Sequence, residues 1–144
     1  MKSLLLLFLL VPLASARIGE SPEECAKRYG LKQDEPVQDG EITYRKAGYV
    51  IHIKFHDGKA VAIEFVKPKN SPGGARVSEK ECDALLAASG GKVKWEKKPE
   101  RSEGSEVWTS EDGKLTAFHG LNVLRIVTAE EIARESEPKK QEKQ

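Results

Sequence analysis

The amino-acid sequence predicts an α+β fold: two tandem helix–antiparallel meander repeats in one small domain, followed by a short C-terminal helix. Two helix-start motifs of the form Ser-x-x-Glu-Cys occur at 21–25 and 78–82. Candidate β-strands follow each motif, and an Asp-Gly-Lys turn recurs at 57–59 and 112–114. The same motifs in the same order at similar spacing indicate an internal repeat.

The N-terminus has the pattern of a secretory signal peptide. Lys2 precedes an apolar run at residues 4–13, and small residues follow at 14–16. A charged start, a short apolar run and a small-residue cleavage site define such a leader, and spanning a bilayer takes about 20 apolar residues. We therefore expect residues 1–16 to be removed and the protein to be exported, to the periplasm or the extracellular space.

Charge and hydropathy exclude several function classes. The 144 residues include 24 basic and 23 acidic side chains, for a net charge of +1. This balance argues against a strongly basic nucleic-acid binder or a polybasic membrane-surface protein. No later apolar run approaches the length of a transmembrane helix, so we expect no transmembrane segment.

The first helix is predicted at 21–29. Ser21 and Glu24 have the spacing of a capping box, in which each side chain bonds the backbone N–H of the other residue. Pro22 suits the first helical position, and Gly30 suits the C-terminal end.

The second and third helices begin with similar signals. Ser78 and Glu81 repeat the capping box, and this helix is expected to run to about residue 88 before Gly90. The third helix is predicted at 128–135, with only Ile132 and Ala133 to bury. The polar tail 136–144 is predicted to be disordered.

The first meander is the clearest part of the pattern, because its apolar residues alternate with period two. A reversal at Ala47-Gly48 sets Tyr44 opposite Ile51. A three-residue loop at 56–58, with Gly58 left-handed in a bulge, aligns the next two strands better than a two-residue loop. One apolar face then contains Ile42, Tyr44, Tyr49, Ile51, Ile53, Phe55, Val61, Ile63 and Phe65.

The second meander is less clear, since neither loop length at Asp112-Gly113 yields one apolar face. Its candidate strands are 92–96, 106–110, 114–118 and 121–127. Residues 67–77, rich in proline and glycine, form the predicted linker. The repeat units are therefore about 20–66 and 77–127, within a single domain at 17–135.

No residue pattern points to catalysis. His52, His56 and His119 lack metal-ligand spacing, and no nucleophile or phosphate-binding motif is present. We accordingly predict no catalytic residues, no metal ligands and no cofactor-binding residues.

Cys25 and Cys82 are the disulfide candidate, because two cysteines in an exported chain allow only one pairing. The alternative is that each is buried separately on the apolar face of its own helix. A bridge would close a long loop and stabilise the fold.

The large aromatic side chains are Tyr29, Trp95, Trp108 and Phe118. Most are expected in the core. A sheet that left two or three aromatic side chains exposed would offer a protein-binding surface.

Residues 24–30, leading from a helix into the meander, and residues 55–61, at its last turn, resemble a known architecture. It is shared by outer-membrane assembly lipoproteins of the SmpA/BamE type and the β-lactamase-inhibitor protein. The resemblance implies protein binding. We thus predict an exported, non-enzymatic module whose partner is another exported or cell-envelope protein; the alternative is a small exported hydrolase with an unrecognised site.

Overall fold

A computed structural model of the protein describes residues 17–29, 39–71, 74–102 and 105–138. The predicted leader 1–16 and residues 139–144 of the predicted tail lie outside these ranges. The described elements, in chain order, are α1 (Pro22–Tyr29), β1 (Gly40–Lys46), β2 (Tyr49–His56), β3 (Lys59–Val66), α2 (Glu79–Gly90), β4 (Trp95–Ser102), β5 (Ser105–Ser110), β6 (Leu115–His119), β7 (Val123–Thr128) and α3 (Ala129–Ser136).

All seven strands form one antiparallel sheet in the order β1-β2-β3-β7-β6-β5-β4. The β3–β7 pair joins the first three strands to the last four. The predicted α+β class and the short C-terminal helix are confirmed. That helix extends to Ser136, which the sequence assigned to the disordered tail.

Both predicted capping boxes form. The Ser21 amide donates to Glu24 Oε2 over 2.9 Å, and the Glu24 amide donates to Ser21 Oγ over 3.3 Å. Ser78 and Glu81 make the same reciprocal pair at the start of α2, over 2.8 and 3.2 Å. Side chains thereby satisfy backbone N–H groups that have no partner within the helix.

The β1–β2 register is as predicted, with Tyr44 opposite Ile51. A two-residue turn joins the strands, and both of its residues have positive φ, 53° at Ala47 and 84° at Gly48. Turns of this kind match the twist of adjacent strands.

The predicted three-residue loop between β2 and β3 is wrong. His56 pairs with Lys59, so the turn contains only Asp57 and Gly58, both with positive φ. The register then shifts by one residue, which leaves Val61 as a bulge. The bulge returns Ile63 to the apolar face, and Ala60, not the predicted Val61, joins the core there.

The second half differs more from expectation. β4 begins at Trp95, whereas the sequence placed a strand at 92–96. The amide of Val93 instead donates to the carbonyl of Gly90 over 3.4 Å, closing the end of α2. At the second Asp-Gly turn, the Gly113 amide donates to the Ser110 carbonyl over 2.8 Å.

Helices α1 and α2 pack on the same face of the sheet. The core between them is apolar and aromatic, and it includes Cys25, Tyr44, Ile53, Phe55, Ile63, Phe65, Cys82, Leu86, Trp108, Leu124 and Ile126. Helix α3 follows β7 directly and lies against the opposite face, which we call the open face.

Candidate functional site

The open face carries apolar side chains in neighbouring strands. Each precedes or follows a core residue in its strand, so it points away from α1 and α2. Val50, Val66 and Val123 align across β2, β3 and β7, and Val107 lies opposite Phe118 in β5 and β6. We call these five residues the open-face patch. The four valines are half-buried, whereas Phe118 is 40% exposed.

Helix α3 covers the other end of this face. Ala62 and Val127 are paired across β3 and β7 on the open face, yet both are buried. Helix α3 therefore covers one end of the open face, and no described helix covers the patch at the other end.

A charged groove of about 630 Å³ lies between α3 and the first strands. Its lining comprises Gly40, Glu41, His52, Lys54, Ala62, Glu64, Arg125 and Glu135. Three of these side chains are carboxylates, two are cationic, and one is the imidazole of His52. His52 Nδ1 lies 2.9 Å from Thr43 Oγ1 and 3.3 Å from Glu41 Oε1.

Glu64 stands out within this groove. Its neighbours across the strands are His52 and Arg125, but Arg125 pairs with Glu135 over 2.5 Å. Glu64 makes no hydrogen bond or ion pair with another described residue. The groove therefore holds a half-buried carboxylate available to a ligand.

Glu131 of α3 is a buried charge that sequence reasoning missed. Its side chain is 2% exposed and pairs with Lys54 of β2 and, over 2.7 Å, with Arg134 Nε. Burial alone would raise the pKa of Glu131, but the hydrogen bonds from both cations outweigh it and lower the pKa. The predicted burial of Ala133 is wrong, since Ala133 is exposed. Folding brings Lys54 and Arg134 close to Glu131, and these two cations compensate for the burial of its carboxylate.

His119 belongs to a second polar cluster, on the face covered by α2. Its Nε2 lies 2.8 Å from the Val77 carbonyl, and its Nδ1 lies 3.1 Å from Glu106 Oε2. Lys97 also contacts Glu106, over 2.6 Å. The hydrogen bonds from Lys97 and then His119 lower the pKa of Glu106.

A pocket of about 380 Å³ adjoins Glu106 and His119. An enzyme could use such a histidine–carboxylate pair as a general base. However, both ring nitrogens of His119 already face acceptors within the protein, which leaves neither free for a substrate.

The two cysteines are free and buried, and they do not lie at disulfide distance. The expected bridge is therefore absent. The two helices pack on different parts of the sheet, with α1 against β1 and α2 against β7, so each thiol is buried separately. Burial, more than the nearby carboxylates, raises the pKa of Cys25 and of Cys82 to about 12. Such thiols are poor nucleophiles.

His56 lies beside two carboxylates at the β2–β3 turn. Its ring nitrogens are 3.3 Å from Asp39 and 3.5 Å from Asp57. Asp39 Oδ1 also accepts from the Asp57 amide over 3.0 Å. Oxygen and nitrogen atoms of the three side chains lie within 4.8 Å of one another, which is compatible with metal ligation. Asp39 and Asp57 are exposed and His56 is half-buried, and their contacts tie the start of β1 to the turn.

Three of the four aromatic anchors face inward. Trp108 and Tyr29 are buried, and half-buried Trp95 donates from Nε1 to the Leu86 carbonyl over 3.2 Å. Phe118 alone among them lies on the open face.

No family model, curated protein or solved structure shows significant similarity to this chain. Within the described ranges, no helix is both long enough and apolar enough to span a bilayer. Function is therefore inferred from the chemistry of the described side chains.

Proposed function

We propose that this protein is an exported, non-enzymatic module that binds another exported or cell-envelope protein through its open face. The single observation that carries the proposal is Phe118, a large aromatic side chain 40% exposed in the middle of an ordered sheet. An aromatic side chain set on a rigid, uncovered surface is typical of the anchors that dominate binding energy at protein interfaces.

The surroundings of Phe118 suit such an anchor. The valines of the open-face patch extend the apolar surface, and Arg125 lies directly across from Phe118 in β7. A central apolar area with a charged rim is the usual anatomy of an interface. The groove beside it supplies charged side chains for specificity.

The charge of the groove indicates the chemistry of the partner. Its lining has one more carboxylate than cationic side chains, and Glu64 has no partner among the described residues. A partner that inserts an apolar side chain at the patch and a lysine or arginine beside it would complement both features.

The buried polar groups support binding over catalysis. Both ring nitrogens of His119 contact acceptors within the protein. The thiols of Cys25 and Cys82 are buried, and burial raises their pKa values. If these side chains took part in a reaction, they would have to give up the contacts that hold the fold together.

Export is part of the proposal, with Arg17 as the N-terminal residue after cleavage. The backbone nitrogen of Arg17 lies 3.2 Å from Glu20 Oε2. Cleavage before Arg17 would place a positive α-ammonium group beside this carboxylate, so the new N-terminus would gain an ion pair. Intact-mass measurement of exported material tests this: a species that retains residues 1–16 would contradict it.

The tandem repeat is also proposed, on the symmetry of the sheet. Strands β1-β2-β3 and β5-β6-β7 meet at the antiparallel β3–β7 pair, and β4 adds a further edge strand beside β5. A pseudo-twofold axis between β3 and β7 would relate the two units, each with its capped helix on the same face.

Capture from an envelope extract of the native source tests the binding function. The immobilised protein is compared with two charge variants, Phe118→Glu in the patch and Leu121→Glu outside it. Leu121 is 63% exposed in the turn after β6, so it is a matched control for adding a charge at an exposed apolar site.

We expect one protein to be retained by the wild type and by Leu121→Glu, and to be lost with Phe118→Glu. Cross-linking followed by mass spectrometry should place it against β5–β7 on the open face. Equal capture by both variants would contradict the proposed face. A self-associating protein whose dimer is broken only by Phe118→Glu would assign the face to a second copy instead.

A further inference from the structure

An apolar cleft lies on the face opposite the proposed binding face, between α1 and α2. Its volume is about 230 Å³. The apolar lining comes from the sheet (Tyr49, Ile51 and Phe65), from α1 (Tyr29) and from α2 (Ala84, Leu85 and Ala88). Lys46, Ala47 and Glu81 complete the lining. Eight of these ten side chains are aliphatic or aromatic.

The size of the cleft suits a small apolar group. An engineered cavity of about 150 Å³ lined by apolar side chains binds benzene, whereas sites for drug-sized molecules start at about 300 Å³. A cleft between these sizes, open to solvent on one side, can take a single ring or most of a medium-length alkyl chain.

The negative charge in the lining is already matched. Glu81 Oε1 accepts hydrogen bonds from Lys67 Nζ and from the hydroxyl of Tyr49, each over 2.8 Å. The Ser78 amide donates to Glu81 Oε2 over 2.8 Å. These donors leave Glu81 little capacity to attract a cationic ligand.

The positive charge in the lining comes from Lys46. Lys46 Nζ donates to the Arg28 carbonyl over 2.7 Å and lies 5.6 Å from the centre of the Tyr29 ring. Lys46 has no carboxylate partner among the described residues. An ammonium group thus lies beside an apolar cleft with capacity for an anion.

We propose that this cleft binds a small amphipathic anion, an alkyl carboxylate, with the carboxylate on Lys46 and the alkyl chain between α1 and α2. The chain would displace water from Tyr49, Ile51 and Phe65, which supplies the apolar contribution. The carboxylate of the ligand would accept a charge-assisted hydrogen bond from the Lys46 ammonium group and neutralise its charge. This site is independent of the open face, so either proposal can fail alone.

Calorimetric titration with three ten-carbon probes tests the headgroup. Decanoate, decanol and decyltrimethylammonium share the alkyl chain and differ in charge. We expect decanoate to bind about tenfold more tightly than decanol, the difference that one charge-assisted hydrogen bond typically makes, and the cation to bind more weakly still. Equal affinity for decanoate and decanol, or no binding of decanoate, would overturn the proposal.

Variants test the residues. Lys46→Gln should remove the preference for decanoate over decanol, Lys46→Arg should keep it, and Lys27→Gln is the control for losing an exposed lysine of α1 outside the cleft. Ala88→Phe should block all binding because the larger side chain fills the cleft. If circular dichroism shows that Ala88→Phe is misfolded, Ala84→Phe is used in its place. Unchanged preference in Lys46→Gln, or decanoate binding retained in the folded cleft-filling variant, would refute this site.

Discussion

Lys54 of β2 and Glu131 of α3 form an ion pair that joins the C-terminal helix to the open face of the sheet. Glu131 is 2% exposed, and Arg134 one turn later also contacts it. A helix with few apolar side chains is thus held by a buried carboxylate between two cations. The pair also determines which part of the open face α3 covers.

Replacing Glu131 with glutamine should therefore destabilise the fold. Breaking a buried pair costs about 3–5 kcal/mol and an exposed pair costs less than about 1 kcal/mol. Because Lys54 is 41% exposed, we expect a loss near 2 kcal/mol in the free energy of unfolding, measured with urea. Glu130→Gln is the control at an exposed carboxylate of the same helix, with an expected loss below about 0.5 kcal/mol. Equal losses would show that Glu131 has no special role.

Acid should weaken the anchorage of α2 through Glu81. Hydrogen bonds, led by the one from Lys67, lower the pKa of Glu81 from its ordinary value of 4.5 to about 2. Since the folded pKa lies below the ordinary value, ionised Glu81 stabilises the fold above pH 4.5. That contribution is lost as the pH falls from 4.5 towards 2.

Unfolding of wild type and Glu81→Gln across this pH range measures the effect. Glutamine can still cap α2, so the variant mainly loses the charge. We expect it to be less stable than the wild type at neutral pH, with the difference narrowing as the pH falls. Glu79→Gln, at an exposed carboxylate of the same helix, is the control. A difference that stays constant with pH would contradict the assignment.

Gly58→Ala should cost about 1 kcal/mol of unfolding free energy. Gly58 has φ +70° and an added Cβ would meet nothing within 4 Å, so the cost comes only from the left-handed backbone. Gly58→Asn should cost less, because asparagine tolerates this conformation better. A Gly58→Ala variant as stable as the wild type would show that the turn is not left-handed at this residue.

Gly90→Ala should perturb Trp95 by a different mechanism. An added Cβ would lie 2.9 Å from Trp95 Nε1, the atom that donates to the Leu86 carbonyl. Overpacking of this kind costs about 1–3 kcal/mol. We expect changed near-ultraviolet circular dichroism and reduced stability, both largely suppressed in a Trp95→Phe background. Additive effects of the two substitutions would exclude the clash.

Both thiols should be protected in the native protein. Cys25 and Cys82 are each 0% exposed, with pKa values raised to about 12, so a thiol reagent should react with neither on a short timescale. Denaturation without reductant should reveal two reactive thiols. Absence of reactive thiols after denaturation would demonstrate a bridge and overturn the separate burial.

The sequence predicted α1, α2 and the β1–β2 pairing accurately, because each depends on contacts between nearby residues. Ser21 and Glu24 are one turn apart, and Tyr44 faces Ile51 across a two-residue turn. The β2–β3 turn was missed by one residue. A bulge at Val61 compensates for the shorter turn, and apolar alternation alone cannot distinguish a longer loop from a shorter turn with a bulge.

The candidate sites were less accessible to sequence reasoning. Phe118 was identified as a large aromatic residue that could be buried or exposed, and only the order of strands assigns it to the open face. Glu131 follows Thr128 at capping-box spacing, but no local pattern predicts its burial, because Lys54 is distant in the sequence. Lys46 and Leu85 carry no sequence signal that they line one cleft.

By itself, the sequence determined the helix starts, the reversal at Ala47-Gly48 and most residues of the first apolar face, since hydrogen bonds and sterics within a few residues decide them. Tertiary structure alone decided that α1 and α2 share one face while α3 takes the other. The same packing separated Cys25 from Cys82 and left Phe118 uncovered. These outcomes depend on burying several amphipathic elements at once against one sheet, a condition that no local pattern encodes.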